Sequence, residues 1–369
     1  MVKELVYRGY AFPGWMVGAI SILTGGRRGS SRAAGTSLLL LLSAAGLARS
    51  QETLASISAD VQRIYENAKG AVVRIESEDD FGRLAGTGFL IDPNGTIYTA
   101  YDVGGESRDI TVEFGSNRYP ARRLVADAKS GVAILKVEAN TPWIPLGNSD
   151  ELKLASPVVT IGYPLDLPAT PTFGLVGGFD LKYLNRYFST TLVRANLPVQ
   201  KGEAGSPILN LKGEAVGILI RSIGNQSACY ALPMKAAEKI RSDYVRYGAA
   251  RPGWLGVSVR EREYAVGDSK VEISGLEEHS PAENSGLQIG DTLLQVGQIK
   301  VRTAPDTLNV AFFLTAGDRV PVTVVRDGKG ITVELTAADM PASPNREPSM
   351  LLPGLSSELR SPAEFPSYP

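Results

Sequence analysis

The sequence predicts a mainly β chain followed by a smaller α+β unit, and three observations predict it. Between residues 71 and 233 the apolar residues fall into short β-type runs separated by turn chemistry: "GTGFLIDPNGTIYTAY", "ITVEFGSNRYPARRLVA", "GVAILKVE", "PVVTIGYP", "EAVGILIRS" and "ACYALP". Many short strands without crossover helices build a sandwich or barrel. Helical patterns occur only at the two ends of this region. After "GAARPG" (248–253), a second stretch mixes strands with one or two helices up to residue 338.

The elements follow in order. The segment "GRRGSSRAAGTSLLLLLSAAGLARSQE" has a basic region, a short apolar run and small residues, with Ala48 and Ser50 placing a cleavage before Gln51. Residues 1–50 are therefore expected to be a signal or targeting segment. The apolar run is shorter than the ~20 residues that span a bilayer, so membrane attachment is expected only if this segment is retained as an anchor. From Gln51, Leu54, Ile57, Val61, Ile64 and Tyr65 at helical spacing predict one amphipathic helix running into a strand at Ala71–Ile75. Pro93-Asn94-Gly95 between two apolar runs predicts a hairpin. "GLVGGF" (174–179) reads as a glycine-bearing turn between strands, and "MKAAEKIRSDYVRYG" (234–248) as a closing helix. The resulting boundaries are 51–247 for the β unit, 248–253 for a linker and 254–338 for the second unit. The Pro- and Ser-rich residues 339–369 are expected to be disordered.

Composition narrows the function classes. A net charge of −1 supplies no basic field for nucleic acid. Cys229 is the only cysteine, so there is no internal disulfide and no cysteine-based metal site. The apolar stretch around it predicts a buried thiol. No phosphate-cradling loop, dinucleotide fingerprint or His/Asp/Glu cluster at ligand spacing occurs, so neither metal nor cofactor is expected.

Several motifs in order carry a resemblance over residues 55–338: "GTGFLIDPNGTIYTAYDV", "ADAKSGVAILKV", "LGNSDELKLASPVVTIGYPLDLPATPTFGLVGG", "GEAGSPILNLKGEAVGI" and "ACYALPMKAAEKI". Together they resemble the protease domain of the HtrA (Do/Deg) family, which implies a chymotrypsin/trypsin-like double β-barrel followed by a PDZ domain. Carried over one residue at a time, the family's histidine base falls on Asp102, its orienting aspartate on Gly131 and its serine on Ala204. A serine hydroxyl needs a base within hydrogen-bond reach and a third group to orient that base. Ala204 has no hydroxyl, and an ionised Asp102 is a weak base at neutral pH. The one histidine, His279, lies in the second unit and reads as an exposed turn residue. The amides of Gly202 and Ala204 are left as a residual oxyanion-type pocket, which binds a carbonyl or carboxylate without cleaving it. The expected chain is a pseudoprotease.

Two enzymatic alternatives stay open on the residues alone. Ser206 offers a shifted nucleophile with Lys201 or Lys212 as its base, and Asp102 with Glu203 offers a carboxylate pair.

The second unit resembles the family's PDZ domain over its whole length, through "GWLGVSVRE", "ISGLEEHSPAENSGLQIGDTLLQVGQIKV" and "APDTLNVAFFLTAGDRVPVTVVRDGKGITVEL". By that resemblance Trp254, Leu255, Gly256 and Val257 form a carboxylate-binding loop, where consecutive backbone amides beside a glycine cap a peptide terminus. Leu308 and Phe312 would line the pocket for its last side chain. The implied function is an exported, periplasmic or extracellular protein that binds peptide C-termini or unfolded polypeptides as scaffold, adaptor or regulator in protein quality control. The resemblance also implies a homotrimer or a hetero-oligomer with an active HtrA paralogue. A serine endopeptidase with non-standard catalytic residues and a holdase chaperone are the rival functions.

Overall fold

The computed structural model describes residues 56–80, 82–184, 186–224, 226–265, 268–339, 341 and 361–362. The expected targeting segment and most of the C-terminal tail lie outside them. Residues 56–68 form helix α1, which buries Ile64 and Ala68 and passes through a 3-10 turn, Lys69–Ala71, into the first strand.

The first sheet holds β1 (Val72–Asp79), β2 (Gly82–Leu90), β3 (Thr96–Ala100), β4 (Arg108–Phe114), β5 (Asn117–Pro120), β6 (Arg122–Asp127) and β7 (Val132–Lys136). Their order is β5-β4-β1-β2-β3-β7-β6. Gly95, at φ 88, closes the β2–β3 hairpin where Pro93-Asn94-Gly95 predicts it. The apolar run that follows does not stay extended through Tyr101: β3 ends at Ala100 and Tyr101–Gly104 makes one helical turn, α2.

The second sheet is a closed barrel, β10-β13-β12-β11-β8-β9. Its strands are β8 (Pro157–Gly162), β9 (Thr170–Tyr183), β10 (Arg186–Ala195), β11 (Pro207–Leu209), β12 (Ala215–Ile223) and β13 (Ala228–Pro233). Closure removes sheet edges and turns alternate side chains into one interior. "GLVGGF" is not a turn but the middle of β9. A Cβ on Gly174 would lie 2.3 Å from the Asn196 carbonyl oxygen, and one on Gly178 would lie 2.3 Å from the Arg194 guanidinium. These glycines admit a close strand neighbour, the usual meaning of glycine inside a strand. Helix α3 (Met234–Tyr247) ends on Gly248 at φ 76, the left-handed cap that glycine accepts without strain.

The last sheet contains β15 (Val257–Ala265), β16 (Asp268–Leu276), β17 (Thr292–Val296), β18 (Ile299–Lys300), β19 (Arg319–Arg326) and β20 (Lys329–Thr336), with helix α4 (Asp306–Phe313) before β19. A short pair, β14 (Gly253–Trp254) and β21 (Ala338–Asp339), fastens the two ends of this unit. Its core gathers Val271, Ile273, Leu293, Val322, Val324 and Leu335, separate from the core of the preceding sheets. The architecture is thus the mainly β chain with an α+β sheet that the sequence predicts. The tail expected to be disordered departs from that expectation at Asp339, which lies in β21, and at Ser361–Pro362, which forms a short strand, β22, paired with β2.

Candidate functional site

Three loops bring the candidate catalytic positions together around β12. Thr87, in β2, donates its amide to the Ala204 carbonyl at 2.9 Å and its hydroxyl to the Gly202 carbonyl at 2.7 Å. Gly205, at φ 91, is bonded through its amide to the Leu219 carbonyl at 2.7 Å. A Cβ there would lie 2.0 Å from the Thr87 oxygen and 2.8 Å from the Ala100 nitrogen, so only glycine lets the loop press against β2 and β3. Tyr101 donates its amide to the Gly131 carbonyl at 2.8 Å, tying the turn that carries Asp102 to Gly131. Gly131 faces Ile220, whose side chain would stand 3.6 Å from an added Cβ.

Beside these positions lies a cation, Arg221, on which the Asp102 carboxylate acts electrostatically. Arg221, one residue beyond Ile220, lies 5.8 Å over the Phe188 ring. Burial pushes its guanidinium down from the usual arginine range, and the Asp102 carboxylate opposes that shift. Ala204 retains 2% of its surface and carries no polar side-chain atom. Arg221 and Ile220 escape the motif comparison. The signal for Arg221 is present, however: it is the one charged residue in the apolar run "AVGILIRS" just beyond the nucleophile loop.

The shifted-nucleophile arrangement is not assembled. Ser206 is fully buried, and a Cβ on Gly162, at the end of β8, would lie 2.3 Å from its hydroxyl. That hydroxyl has no hydrogen-bond partner among the described residues, so neither Lys201 nor Lys212 reaches it. Glu203 is 2% exposed. One of its oxygens accepts the Gln200 amide at 2.6 Å, and the other has no partner. Burial pushes its carboxyl up to about 7. Its charge acts on the fully buried Cys229, whose thiol burial raises to about 12. Neither oxygen of Glu203 bonds a side chain, one accepting from the Gln200 amide and the other having no partner, so Glu203 and Asp102 share no hydrogen bond. Gly202, at φ 93, lies against Tyr163, where a Cβ would stand 2.3 Å from the carbonyl oxygen; Gly202 and Ala204 are both buried.

The second site is an apolar cavity of about 120 Å³ in the last sheet. Trp254, Leu255, Gly256 and Val257 line it at one end. Gly256, at φ 75, lies against the fully buried Ser280, whose Cβ would be 2.1 Å from one added there. The carbonyls of Leu255 and Gly256 accept from Ala282 and Glu277 at 3.0 and 2.9 Å, which fixes the loop from behind. Strand β15 is the sheet's edge and offers its outer side for pairing. Helix α4 lines the cavity through Thr307, Val310 and Ala311, and Leu314 just past its end adds to the lining, whereas Leu308 and Phe312 do not. Leu308 is 38% exposed, and Phe312 packs with Phe313 against the core of the preceding sheets. The cause is tertiary: the Asn309 side chain accepts from the Thr190 hydroxyl at 2.6 Å and the Thr191 amide at 3.2 Å. Those bonds hold that face of α4 against β10. His279 is exposed in its turn at φ 60, and its amide donates to Glu283 at 2.6 Å.

Comparison with known proteins agrees with this geometry. Residues 86–218 match the trypsin-like peptidase domain family and residues 253–336 match the PDZ domain family. The fold and its two sites therefore define a trypsin-like peptidase-fold protein with a PDZ domain. The chain belongs to the HtrA family. It is 31% identical over 279 residues to a probable periplasmic serine endoprotease DegP-like of Pseudomonas fulva, covering 71% of this chain and 57% of the relative. The corresponding protein of Halomonas elongata is 31% identical over 274 residues, covering 71% and 58%. The chain thus spans somewhat over half the length of these curated relatives. Among solved structures, the HtrA-type protease AlgW with tripeptide has a TM-score of 0.65 at 20% identity, covering 78% of this chain and 99% of that one. A serine endoprotease from Yersinia pestis has a TM-score of 0.57 at 23% identity, covering 76% and 98%.

Proposed function

We propose that this chain is a non-cleaving member of its family that binds peptides ending in a free, apolar C-terminus through its PDZ domain, serving as scaffold, adaptor or regulator in protein quality control. What carries the reading is the convergence of Asp102, Gly131 and Ala204 on β12 with no hydroxyl or imidazole among them. Removing a complete triad leaves a residual rate of only ~10³–10⁴ over water, from backbone donors and binding, negligible against a peptide bond. The cavity beside Gly256 supplies the binding function. An apolar cavity of roughly 150 Å³ accepts one benzene-sized group, and backbone amides at the loop recognise a carboxylate.

Export to the periplasm is part of the proposal, supported by the names of the relatives and by the targeting pattern at residues 27–51. Among the described residues no helix is long and apolar enough to cross a membrane. Assembly as a homotrimer or with an active paralogue belongs to the same proposal, resting on family membership alone.

The test pairs two measurements on the full chain. Unfolded casein is expected to remain intact and a fluorophosphonate probe to leave the chain unlabelled. A peptide ending in an apolar residue is expected to bind, and its C-terminal amide to bind at least tenfold more weakly. Casein cleavage abolished by Ser206→Ala would establish the endopeptidase alternative. Equal binding of acid and amide, together with suppressed aggregation of an unfolded client, would favour the holdase.

A further inference from the structure

We infer that the chain's own C-terminal segment around Ser361–Pro362 is a strand ligand for the open edge of β2, two residues from its contact with the loop that carries Ala204, and that it competes there with any other extended polypeptide.

The edge is defined by its neighbours. On one side β1 pairs with β2 along its length, from Val72 opposite Phe89 to Asp79 opposite Gly82. On the other side β3 pairs only with Gly88, Phe89 and Leu90. The amide of Thr87 is taken by the Ala204 carbonyl. At Gly86 helix α2 passes so close that a Cβ would stand 2.3 Å from Val103. What remains open on that side is Gly82–Ala85, a stub of β-edge two residues from the contact between β2 and the Ala204 loop. Exposed edges recruit extended segments, and the recruited segment here belongs to the same chain: Leu84 pairs with Pro362 and Ala85 with Ser361, antiparallel.

Reach does not limit this pairing. About twenty residues separate Asp339 from Ser361, and an extended chain of that length spans roughly 70 Å. A pairing this short is weak as an encounter between separate molecules. Covalent attachment raises the effective concentration to about the millimolar range, which suffices to populate it within one chain. A proline at position 362 also marks the pairing as terminal, because it cannot extend a ladder through its own nitrogen. The segment therefore caps an edge without inviting a further strand. The inference stands apart from the reading of lost catalysis, since occupancy of this edge does not depend on whether the cleft cuts.

Amide hydrogen exchange tests it. The full chain is compared with one stopped after Pro341, with exchange in β13, far from this edge, as the control for intact folding. Exchange at Ala85, whose amide lies on the same open side as that of Thr87, is expected to quicken at least tenfold without the tail. A synthetic peptide of residues 355–369 added at millimolar concentration is expected to restore protection, and a shuffled peptide is not. Unchanged exchange at Ala85 on truncation, with β13 still protected, would overturn the inference. Equal protection by the shuffled peptide would overturn it as well, by showing an edge indifferent to this segment.

Discussion

Glu203 shows how a single side chain can make the nucleophile loop depend on pH. Its carboxyl is buried, bonded through one oxygen only, and raised to about 7 by burial. The native chain therefore holds a proton that the unfolded chain releases from pH ~4.5 upward. Across that window unfolding releases a proton, so stability falls as pH rises, by about 3 kcal/mol in total, and levels off above 7. Glu203→Gln is expected to abolish this slope in urea unfolding between pH 4.5 and 8. An unchanged slope would place the titration elsewhere. Gly131 supplies a second case. At φ 79 its backbone lies where a side chain costs about 1–2 kcal/mol, and Ile220 occupies the space beside it. Gly131→Asp is expected to lower stability by that amount in urea, with Gly131→Ala costing about the same because the strain is in the backbone. Restoring a triad with Asp102→His, Gly131→Asp and Ala204→Ser therefore meets a strained acid position packed against isoleucine, and casein cleavage by that variant is expected to stay at the blank.

At the scale of elements, local chemistry was legible and tertiary rotation was not. Pro93-Asn94-Gly95 and the closing helix over 234–248 could be read because a hairpin turn and a short helical pattern are decided within a few residues. The barrel strands followed from their short apolar runs. The groove face of α4 did not follow, because "DTLNVAFF" is apolar nearly all round and its orientation is set by Asn309 against Thr190 and Thr191, more than a hundred residues away. "GLVGGF" misled for a related reason: glycine marks a turn and a close strand contact equally well, and the close partners, Asn196 and Arg194, are remote in sequence. Ala311→Phe, which fills the cavity, is expected to weaken peptide binding at least tenfold with little change in melting temperature. Leu308→Ala, on the exposed side, is expected to leave binding unchanged. Phe312→Ala is expected to cost about 2 kcal/mol of stability, less than the 3–5 typical of a fully buried aromatic.

Across the whole molecule, α4 is a shared element. One of its faces lines the peptide cavity and another packs through Asn309, Phe312 and Phe313 on the preceding domain. The contact is reinforced where Lys235 lies 5.5 Å over the Phe313 ring. Asp243 joins the domains as well, accepting from Lys239 at 2.6 Å and from the Thr315 hydroxyl at 3.0 Å. Asn309→Ala gives up two hydrogen bonds and is expected to lower stability by about 1–2 kcal/mol, read from the urea midpoint. An unshifted midpoint would mean that the aromatic contacts and the Asp243–Thr315 bond hold the domains together without Asn309.

The burial of Cys229 reaches beyond its own packing. The chain's single thiol has no exposed surface, lies in the closed barrel behind the nucleophile loop, and is raised to about 12. A thiol in that state does not meet an alkylating reagent while the barrel stays shut. The rate at which iodoacetamide marks the protein is therefore a clock for the opening of that one barrel, with no label to introduce and no second cysteine to confuse the count.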